Sequence, residues 1–599
     1  KLVSIGEAEI GENEKFYNKV IINKDQKTIQ VIDNGIGMTG EEVKKYINQI
    51  AFSGAVDFLE KYKNKADESS QIIGHFGLGF YSAFMVSEKV TIDTLSWQKG
   101  AEAVKWTSSG GTEYEMDSSE RKERGTTVTM YLADDSAEFL DYFKMKEILE
   151  KYCSFMPIEI YLEDALKKKE EKKEKKDAAG DEKTAEENEK PINDTHPLWL
   201  KNPKDCTEEE YKEFYKKVFH DFNDPLFWIH LNMDYPFNLK GILYFPKLKH
   251  EFETIEGKIK LFYNQVFVAD NIKEVIPEFL MLLKGTIDCP DLPLNVSRSF
   301  LQNDGYVSKI SSHITKKVAD KLISLFENER KNYEKYWDDI NPFIKYGCMR
   351  EPKFYDRVKD IIIFKTTGGE YMTQKDFLEK YGAGKAGNDN KQEKNTIFYV
   401  TDENQQSQYI RMFKEHGMEA VILNALIDNH FIQFLEMKDS NVKFTRIDSD
   451  ISGSLKSENG ENDKETAKQL EKIFKEAIGN DKLKISVEAL KTTSVPGMIL
   501  LSEYSRRMKE FSRMYGMNNM DTANLFPEEQ TLVLNSSNSL IQSVAKMAAD
   551  ESKKEDVNLI CRHVYDLAMM SNKQLDRDAM TGFIERSNLL LEKLVEKVS

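Results

Sequence analysis

The sequence predicts a multidomain α+β protein, and three observations support that prediction. Strand-like and helix-like patterns alternate over residues 1–163 and again over residues 361–444. A charged run at 167–190 and a polar, Gly/Ser-rich run at 448–464 separate three globular stretches. With 599 residues, the chain is long enough for about three or four domains that each bury a core.

The first predicted domain, residues 1–165, is built on a mostly antiparallel sheet. Two β-prone runs at 19–22 and 28–32 flank the polar sequence NKDQK, which predicts a hairpin. A helix is expected at 40–51, and the apolar run 80–86 predicts a helix or its first turn. Further strands are predicted at 90–95, 103–108, 113–116, 126–132 and 158–162, with an amphipathic helix at 139–152.

Two glycine-rich turns in this domain carry the candidate chemistry. In QIIGHFGLGFYSAF, residues 71–84, Gly74, Gly77 and Gly79 let backbone N–H groups approach a ligand, and N–H groups at a helix start suit phosphate. In VIDNGIGM, residues 31–38, the Asp33 carboxylate ends a strand and can accept a hydrogen bond from an exocyclic amine. Together the two turns predict a nucleotide pocket.

Either turn alone is a weak signal, because most glycine-rich turns are only turns. GHFGLGF is not a P-loop, since no Gly-Lys-Ser/Thr follows it. The acidic residue of a dinucleotide-binding fingerprint is also missing from a suitable strand end. The pairing of DNGIGM with GHFGLGFYSAF at this separation is therefore the stronger indication.

Two linkers divide the rest of the chain into a second and a third domain. The first run has no large apolar residue and cannot offset its ordering entropy, so it is either a charged linker or a solvated helix. Its position between two globular patterns favours the linker. The predicted boundaries are a linker at 166–194, a second domain at 195–450, a linker at 451–464 and a third domain at 465–599.

The second domain is predicted to contain strands, one long helix and a βαβ alternation. The strands are expected at 226–231, 241–245 and 258–268, the helix at 310–332, and the alternation over 396–447. In the third domain, Ile584, Leu591, Leu594, Val595 and Val598 lie on one face of a terminal helix. That face can be ordinary core or a dimer seam, and the sequence leaves both open.

The amino-acid composition indicates which cellular compartment and which classes of partner to expect. The net charge of −17 disfavours a nucleic-acid binder, which needs a basic surface. The five cysteines are scattered without a CxxC motif, a pattern typical of reduced thiols in the cytosol. No apolar run is long enough to span a membrane, and no secretory signal is present. We therefore expect a cytoplasmic protein with neither nucleic acid nor membrane as a partner.

The paired turns and several longer motifs resemble the 90-kDa heat-shock protein chaperones, most closely their bacterial form, over essentially the whole chain. The motifs are IAFSGAVDFLEK at 50–61, GTTVTMYL at 125–132, HPLWLKNPKDCTEEEYKEFYK at 196–216, DLPLNVSRSFLQ at 291–302 and TSVPGMILLSEYSRRM at 493–508. The resemblance implies a GHKL (Bergerat-type) ATP-binding α/β sandwich, as in DNA gyrase B and histidine kinases. It further implies an α/β middle domain and a mainly helical C-terminal dimerisation domain.

The resemblance implies ATP and Mg²⁺ as cofactors and assigns contacts to residues of the first domain. The residues near the base are Asp33, which accepts from the adenine amine, Gly37, Met38 and Thr126, whose hydroxyl lies close by. The residues near the phosphates or at the start of a lid are Gly74, Gly77, Gly79, Phe80, Ser53 and Gly54.

In the motif DLPLNVSRSFLQ, the resemblance assigns Arg298 to the γ-phosphate, with Asn295 and Gln302 orienting the loop. A guanidinium stabilises the charge that develops on a transferring phosphoryl group, so the chemistry agrees with the assignment. Most arginines make surface ion pairs instead, and without the motif Arg298 would be interpreted in that way.

The sequence also departs from the pattern of this family. The catalytic Glu and the Asn that holds Mg²⁺ lie in an ELISNASDA-like segment, which should precede KLVSIGEAE, so we expect the chain to be truncated. If this fragment is the whole molecule, hydrolysis should be crippled and Mg²⁺–ATP binding weakened. Phe52 and His75 stand where relatives often carry Lys and Gln. No acidic EEVD-type tail ends the chain, so docking of tetratricopeptide cochaperones is not implied.

The expected function is an ATP-dependent molecular chaperone, a homodimeric clamp that binds and remodels client proteins. The Met-rich segment 508–520 is either a client-binding surface or a core-facing or frayed helix, and the resemblance favours client contact. Trp199 is a weaker client candidate.

Two alternatives to the clamp stay open at this point. The first is a non-hydrolysing holdase. The second is another ATPase of the same fold, either a histidine kinase or a type II topoisomerase. A kinase should carry a phosphoacceptor His ahead of the ATP domain. A topoisomerase needs a catalytic Tyr domain or a basic DNA-binding surface, which the net charge disfavours.

Overall fold

The computed structural model describes residues 14–49, 52–54, 57, 77–166, 190–247, 258–271, 275–292, 304–382, 395–449, 455–457, 464–480, 483–502, 530–571 and 575–598. The chain divides into two compact units, Lys1–Lys321 and Leu322–Ser599. Each unit has hydrophobic cores of its own. The finer boundaries expected from the sequence are not tested by this division and stay a prediction.

The first unit begins with a seven-stranded sheet. Its strands are β1 (Tyr17–Asn23), β2 (Thr28–Asp33), β3 (Ser87–Leu95), β4 (Val104–Ser108), β5 (Glu115–Ser118), β6 (Gly125–Leu132) and β7 (Glu159–Asp164). The order is β5-β4-β3-β6-β2-β1-β7, and every pair is antiparallel except β1 with β7. The predicted sheet and its opening hairpin are confirmed.

The helices of this sheet domain are shorter than predicted. Helix α1 (Gly40–Tyr46) starts at a capping box in which Thr39 and Glu42 satisfy each other's backbone N–H, but it ends five residues before the predicted boundary at 51. Helix α2 (Tyr142–Cys153) starts later than predicted, because the Asp141 carboxylate caps it by accepting from the N–H groups of Phe143 and Lys144. The apolar run after the second glycine turn forms a 3-10 helix, Gly79–Met85.

One face of the sheet carries its apolar side chains. Val31, Val128, Ile92 and Trp106 are paired across β2, β6, β3 and β4 and therefore lie on the same face. Two core clusters cover this face. One includes Met145 and Leu149 of α2, and the other includes residues of α1 and the aromatic rings of the 3-10 helix.

The same unit contains a second, five-stranded sheet packed against helix α3 (Glu208–Phe219). Its strands are β8 (Phe227–Met233), β9 (Leu239–Phe245), β10 (Ile259–Tyr263), β11 (Val266–Asp270) and β12 (Lys284–Asp288), in the order β11-β10-β12-β9-β8. The single strand predicted at 258–268 is wrong. Asn264 and Gln265 have φ values of 49° and 65°, which form a two-residue hairpin turn between β10 and β11.

Trp199, a weak client candidate in the sequence, is part of the core of this sheet. Its side chain is 0% exposed. The ring lies 4.7 Å from that of Phe155 and 5.0 Å from that of Phe262, and its Nε1 donates to Asp288 Oδ2 at 3.3 Å. A side chain so enclosed contacts no client in this structure, and that interpretation of Trp199 is corrected.

Asp288 is a buried carboxylate, and hydrogen bonds from its neighbours make up for only part of its lost hydration. It is 5% exposed, its Oδ2 also accepts the Gln265 N–H at 2.9 Å, and no described residue donates to its Oδ1. Burial raises the pKa of this carboxyl to about 6, while the Gln265 and Trp199 donors oppose the shift. Because the folded-state pKa lies above the unfolded one, ionisation costs stability, and the free energy of unfolding falls as pH rises toward 6.

Asp288→Asn should therefore gain stability relative to the parent as pH rises. Between about pH 5 and about pH 7.5 the gain in the free energy of unfolding should be on the order of 1 kcal/mol. Chemical denaturation of both proteins at the two pH values measures this. Asp234→Asn, at an exposed aspartate, is the control and should show no such change. A pH-independent difference between parent and Asp288→Asn would contradict the argument.

The first part of the second unit contains the predicted βαβ alternation. Helix α4 (Asp304–Asn328) begins in the first unit and continues into the second. It ends before α5 (Arg330–Arg350), because Glu329 leaves the helical region at φ −133° and ψ 45°, so the single helix predicted at 310–332 is wrong. The elements that follow are α6 (Pro352–Val358), β13 (Ile363–Lys365), β14 (Tyr371–Thr373), α7 (Gln374–Tyr381), β15 (Asn395–Val400), α8 (Ser407–Glu415), β16 (Val421–Ile422), α9 (Asp428–Lys438) and β17 (Val442–Arg446). β15 pairs parallel with β16 and β17, which confirms the alternation.

The end of the chain is mainly helical around a three-stranded sheet that was not predicted from the sequence. The elements are α10 (Lys464–Ile478), β18 (Lys484–Glu488), β19 (Gly497–Leu501), β20 (Gln530–Asn535), α11 (Ser539–Met547), α12 (Lys554–Met570) and α13 (Arg577–Val598), with the sheet order β18-β20-β19. On α13, Ile584, Leu591 and Leu594 are 52%, 60% and 60% exposed. These side chains do not belong to the core of this chain.

Candidate nucleotide site

Asp33 is the last residue of β2 and lies on the core face of the first sheet. Its Oδ1 accepts the N–H of Gly35 at 2.8 Å. Burial raises the pKa of the Asp33 carboxyl, and the Gly35 N–H, the Arg121 charge and the Thr126 N–H oppose that shift. The carboxylate is therefore poorly hydrated, which favours a hydrogen bond from a ligand amine over one from water.

Two threonines continue the row that Asp33 begins. Asp33 is paired with Thr126 of β6, and Thr126 is paired with Thr94 of β3, so the three side chains lie side by side on one face. The hydroxyl oxygens of Thr94 and Thr126 are 3.1 Å apart, and the two residues are 0% and 8% exposed. The row places a carboxylate beside hydroxyl groups at the end of an otherwise apolar surface.

The loop between β2 and α1 is fixed directly on the end of β3. Gly37 has φ +60°, and a Cβ there would lie 1.9 Å from the carbonyl oxygen of Leu95. The Trp97 N–H donates to the Ile36 carbonyl at 2.8 Å, and the Met38 N–H donates to Thr94 Oγ1 at 2.9 Å. The backbone of this loop is thus held directly against the end of β3.

The described part of the second glycine turn lies near this loop. Gly77 has φ +63°, and a Cβ there would lie 2.2 Å from the carbonyl oxygen of Phe52, whereas nothing lies within 4 Å of a Cβ placed on Gly79. The Phe80 ring lies 5.7 Å from that of Trp106, in the core cluster that Met38 also joins. Gly77 is therefore required by the fold, while Gly79 leaves open space beside the backbone.

The predicted lid start is described only at its first residues. A Cβ on Gly54 would make ordinary contact, 3.6 Å, with the ring of Tyr46 of α1. Phe52 is 48% exposed. Asp57 accepts from the Tyr46 hydroxyl at 2.8 Å and pairs with Lys45. Ser53 and Gly54 thus lie beside α1, and their predicted role stays a prediction.

Several predicted residues lie outside the described residues. They are Gly74 and His75 of the second turn, the loop residues Asn295, Arg298 and Gln302, and the Met-rich segment 508–520. Their assignments stay predictions.

Three residues that fix the site were not predicted from the sequence. Thr94 accepts the Met38 N–H, Arg121 donates to the Asp33 carbonyl at 3.4 Å, and Arg124 donates to the Asn34 and Gly35 carbonyls at 3.2 Å. Their partners lie far away in sequence, so only the strand register brings them together. The alternating pattern of β3 was the one sequence signal for Thr94. It predicts which face of the strand Thr94 lies on, but not which residues lie beside it.

Within the described ranges, no group of three or more His, Cys, Asp or Glu side chains is placed to hold a metal ion. Those same ranges contain no helix with the length and apolar character needed to cross a bilayer.

Comparison with known proteins gives the family. The sequence profile described as "Hsp90 protein" matches residues 138–597, and the profile described as "Histidine kinase-, DNA gyrase B-, and HSP90-like ATPase" matches residues 17–124. The chain belongs to the Hsp90 family.

Bacterial relatives in the Hsp90 family cover nearly the whole chain. The chaperone protein HtpG of Bacteroides fragilis is 44% identical over 92% of this chain and 79% of its own length. HtpG of Bacteroides thetaiotaomicron is 39% identical over 98% and 93% of the two chains, and HtpG of Porphyromonas gingivalis is 40% identical over 96% and 82%.

This Hsp90-family chain is accordingly a molecular chaperone of the Hsp90 type, with a nucleotide-binding ATPase domain of the GHKL type built on the first sheet. The predicted α+β multidomain fold and the predicted family are confirmed. A histidine kinase, a topoisomerase or a non-hydrolysing holdase is not favoured, because the Hsp90 profile continues through residues 138–597.

Proposed function

We propose that this chain is an ATP-driven homodimeric clamp that acts on partly folded client proteins in the cytoplasm. The observation that carries the proposal is the row of Asp33, Thr126 and Thr94, with the backbone of Gly37 and Met38 closing one side. A partly dehydrated carboxylate next to hydroxyl groups matches the edge of an adenine base, which offers one donor and one acceptor.

The proposed nucleotide contacts extend from the base toward the phosphates. Asp33 accepts from the adenine amine, Gly37 and Met38 line the ring, and the Thr126 hydroxyl lies near the base. The backbone N–H groups of the second turn bind the phosphates, which the open space beside Gly79 supports. The residues proposed for this second group are Gly74, Gly77, Gly79 and Phe80, with Ser53 and Gly54 at the start of the lid.

Mg²⁺ is proposed to arrive with the phosphates. Magnesium usually keeps several waters and needs few protein ligands when phosphate oxygens are present. When bound, the ion neutralises phosphate charge.

The homodimer is proposed to form through α13. Leu591, Leu594 and Val595 are 60%, 60% and 67% exposed, although their side chains are apolar. A stripe of this kind on a terminal helix suits a helix–helix interface between two copies. The predicted dimer seam is thereby preferred over the predicted core.

The proposed catalytic loop is tested by Arg298→Ala in a protein extended upstream to include the segment that carries the catalytic Glu, and the parent and control carry the same extension. If Arg298 contacts the γ-phosphate, its loss should leave ADP affinity unchanged and lower ATP turnover by about a thousandfold. The measurements are calorimetric titration with ADP and a steady-state phosphate-release assay.

Arg411→Ala is the matched control, because Arg411 lies on an exposed helix face, is 70% exposed, and pairs with Glu415 one turn away. It should leave both quantities unchanged. Equal turnover in Arg298→Ala and the parent would refute the role of Arg298, and an absence of ADP binding in the parent would refute the nucleotide site itself.

A further inference from the structure

The Thr94 hydroxyl lies at the centre of the proposed base site. It has one proton to donate, and two acceptors lie within hydrogen-bond distance of it. Its oxygen accepts the Met38 N–H at 2.9 Å. Two acceptors compete for its single proton: the Thr126 hydroxyl oxygen at 3.1 Å and the Gly125 carbonyl oxygen at 3.3 Å. Thr94 is 0% exposed, so water does not supply a further partner.

The choice between these two acceptors decides what Thr126 offers to a ligand. If Thr94 donates to the Gly125 carbonyl, the Thr126 hydroxyl can turn its proton to Thr94 and present lone pairs outward. If Thr94 donates to Thr126, the Thr126 proton is directed away from Thr94 and toward the space beside Asp33. The shorter distance favours the second arrangement, since O–H···O bonds are strongest near about 2.7–2.8 Å.

We propose that Thr94 is a positioning residue that makes the site selective for 6-aminopurine nucleotides over 6-oxopurine nucleotides. This inference rests on the proposed function, namely that the row of Asp33, Thr126 and Thr94 binds a purine base.

The edges of the two base classes explain the selectivity. A 6-aminopurine offers an amine donor and, next to it, the N1 acceptor. A 6-oxopurine offers the O6 acceptor and, next to it, an N1–H donor. With Thr94 donating to Thr126, the site presents the Asp33 acceptor and a hydroxyl donor, directly or through one water, and this pair matches the 6-aminopurine. The 6-oxopurine would place O6 against the carboxylate and N1–H against a donor, which leaves buried groups unpaired.

The test compares ADP with inosine 5′-diphosphate by calorimetric titration. These two ligands differ in the 6-substituent and in the N1 proton. The parent should bind ADP at least about a hundredfold more tightly, as expected for a site whose buried polar groups are left unpaired by the wrong base. Thr94→Val keeps the side-chain shape but removes the hydroxyl. It should reduce this ratio by about tenfold, since Thr126 is then free to donate or accept.

A purely structural role for Thr94 predicts a different result. Loss of the Met38 anchor alone would weaken both ligands by the same factor and leave the ratio unchanged, and that outcome overturns the proposal. Thr94→Ser restores the hydroxyl and should restore the ratio. Thr91→Val removes a hydroxyl from the opposite face of β3 and is the matched control, with the parent ratio expected.

Two further outcomes are informative. If Thr94→Val fails to fold, as judged by circular dichroism, Thr126→Val takes its place. It should reduce the ratio similarly, and an unchanged ratio overturns the proposal. A parent protein that binds neither ligand would overturn the proposed function. A parent that binds both equally well would leave the nucleotide site intact and overturn only the selectivity assigned to Thr94.

Discussion

Asp33→Asn should lower the affinity for ADP by about a hundredfold, which corresponds to roughly 3 kcal/mol. The Asn Oδ1 can still accept the Gly35 N–H, which the Asp33 carboxylate does at 2.8 Å. That orientation turns the amide N–H₂ toward the site, where it faces the adenine amine donor to donor. Calorimetric titration of both proteins measures the loss.

Asp93→Asn is the matched control for this substitution. Asp93 lies on β3, two strands away from Asp33 and on the opposite face of the sheet, where it accepts from the Ser119 hydroxyl at 3.1 Å. The Asp93→Asn protein should bind ADP as the parent does. If Asp33→Asn also binds ADP like the parent, the carboxylate has no part in base recognition.

The raised pKa of Asp33 adds a pH dependence to the same experiment. The carboxylate accepts from the ligand only when ionised, and burial makes its protonation begin at a higher pH than for an ordinary aspartate. ADP affinity of the parent should therefore fall on acidification, before exposed aspartates titrate. The residual affinity of Asp33→Asn should lack that decline.

Gly37→Ala should destabilise the first unit and abolish nucleotide binding. The residue has φ +60°, and the added methyl would lie 1.9 Å from the Leu95 carbonyl oxygen, which belongs to the backbone of β3 and cannot turn away. Steric overlap and an unfavourable backbone conformation together should lower the free energy of unfolding by about 3 kcal/mol or more. Chemical denaturation followed by circular dichroism measures the change.

Gly100→Ala separates the two causes of that loss. Gly100 also has a positive φ, +83°, but nothing lies within 4 Å of a Cβ placed there. It should therefore lose only about 1 kcal/mol, which is the cost of the conformation alone. If Gly37→Ala were no less stable than Gly100→Ala, the close approach of this loop to β3 would be wrong.

The sequence predicted those features that local pattern determines. Alternation of apolar residues gave the strands of the first sheet, and the polar run NKDQK between two such strands gave the β1–β2 hairpin. The βαβ rhythm gave the parallel sheet of β15, β16 and β17. The pattern that predicts each of these elements extends over only a few residues, so it can be recognised in a single sequence.

The features that were missed depend on local turn chemistry or on distant partners. The Asn264–Gln265 turn was hidden because apolar residues lie on both sides of it and neither residue is Gly. From the sequence, Trp199 could be a client contact or a core residue, and only the packing of the second sheet around it shows that it belongs to the core. Thr94 gained its role only because β3, β6 and β2 are paired in one register, which brings residues from three separate stretches of chain together.

Methyl NMR on the labelled protein tests the central claim most directly, because it locates the ligand without any substitution. The methyl groups of Met38, Thr94 and Thr126 border the proposed base site, whereas Met145 of α2 belongs to the other core cluster of the sheet. Addition of ADP should shift the signals of Met38 and Thr126 and leave that of Met145 in place. Saturating ADP that moves neither Met38 nor Thr126 would contradict the account.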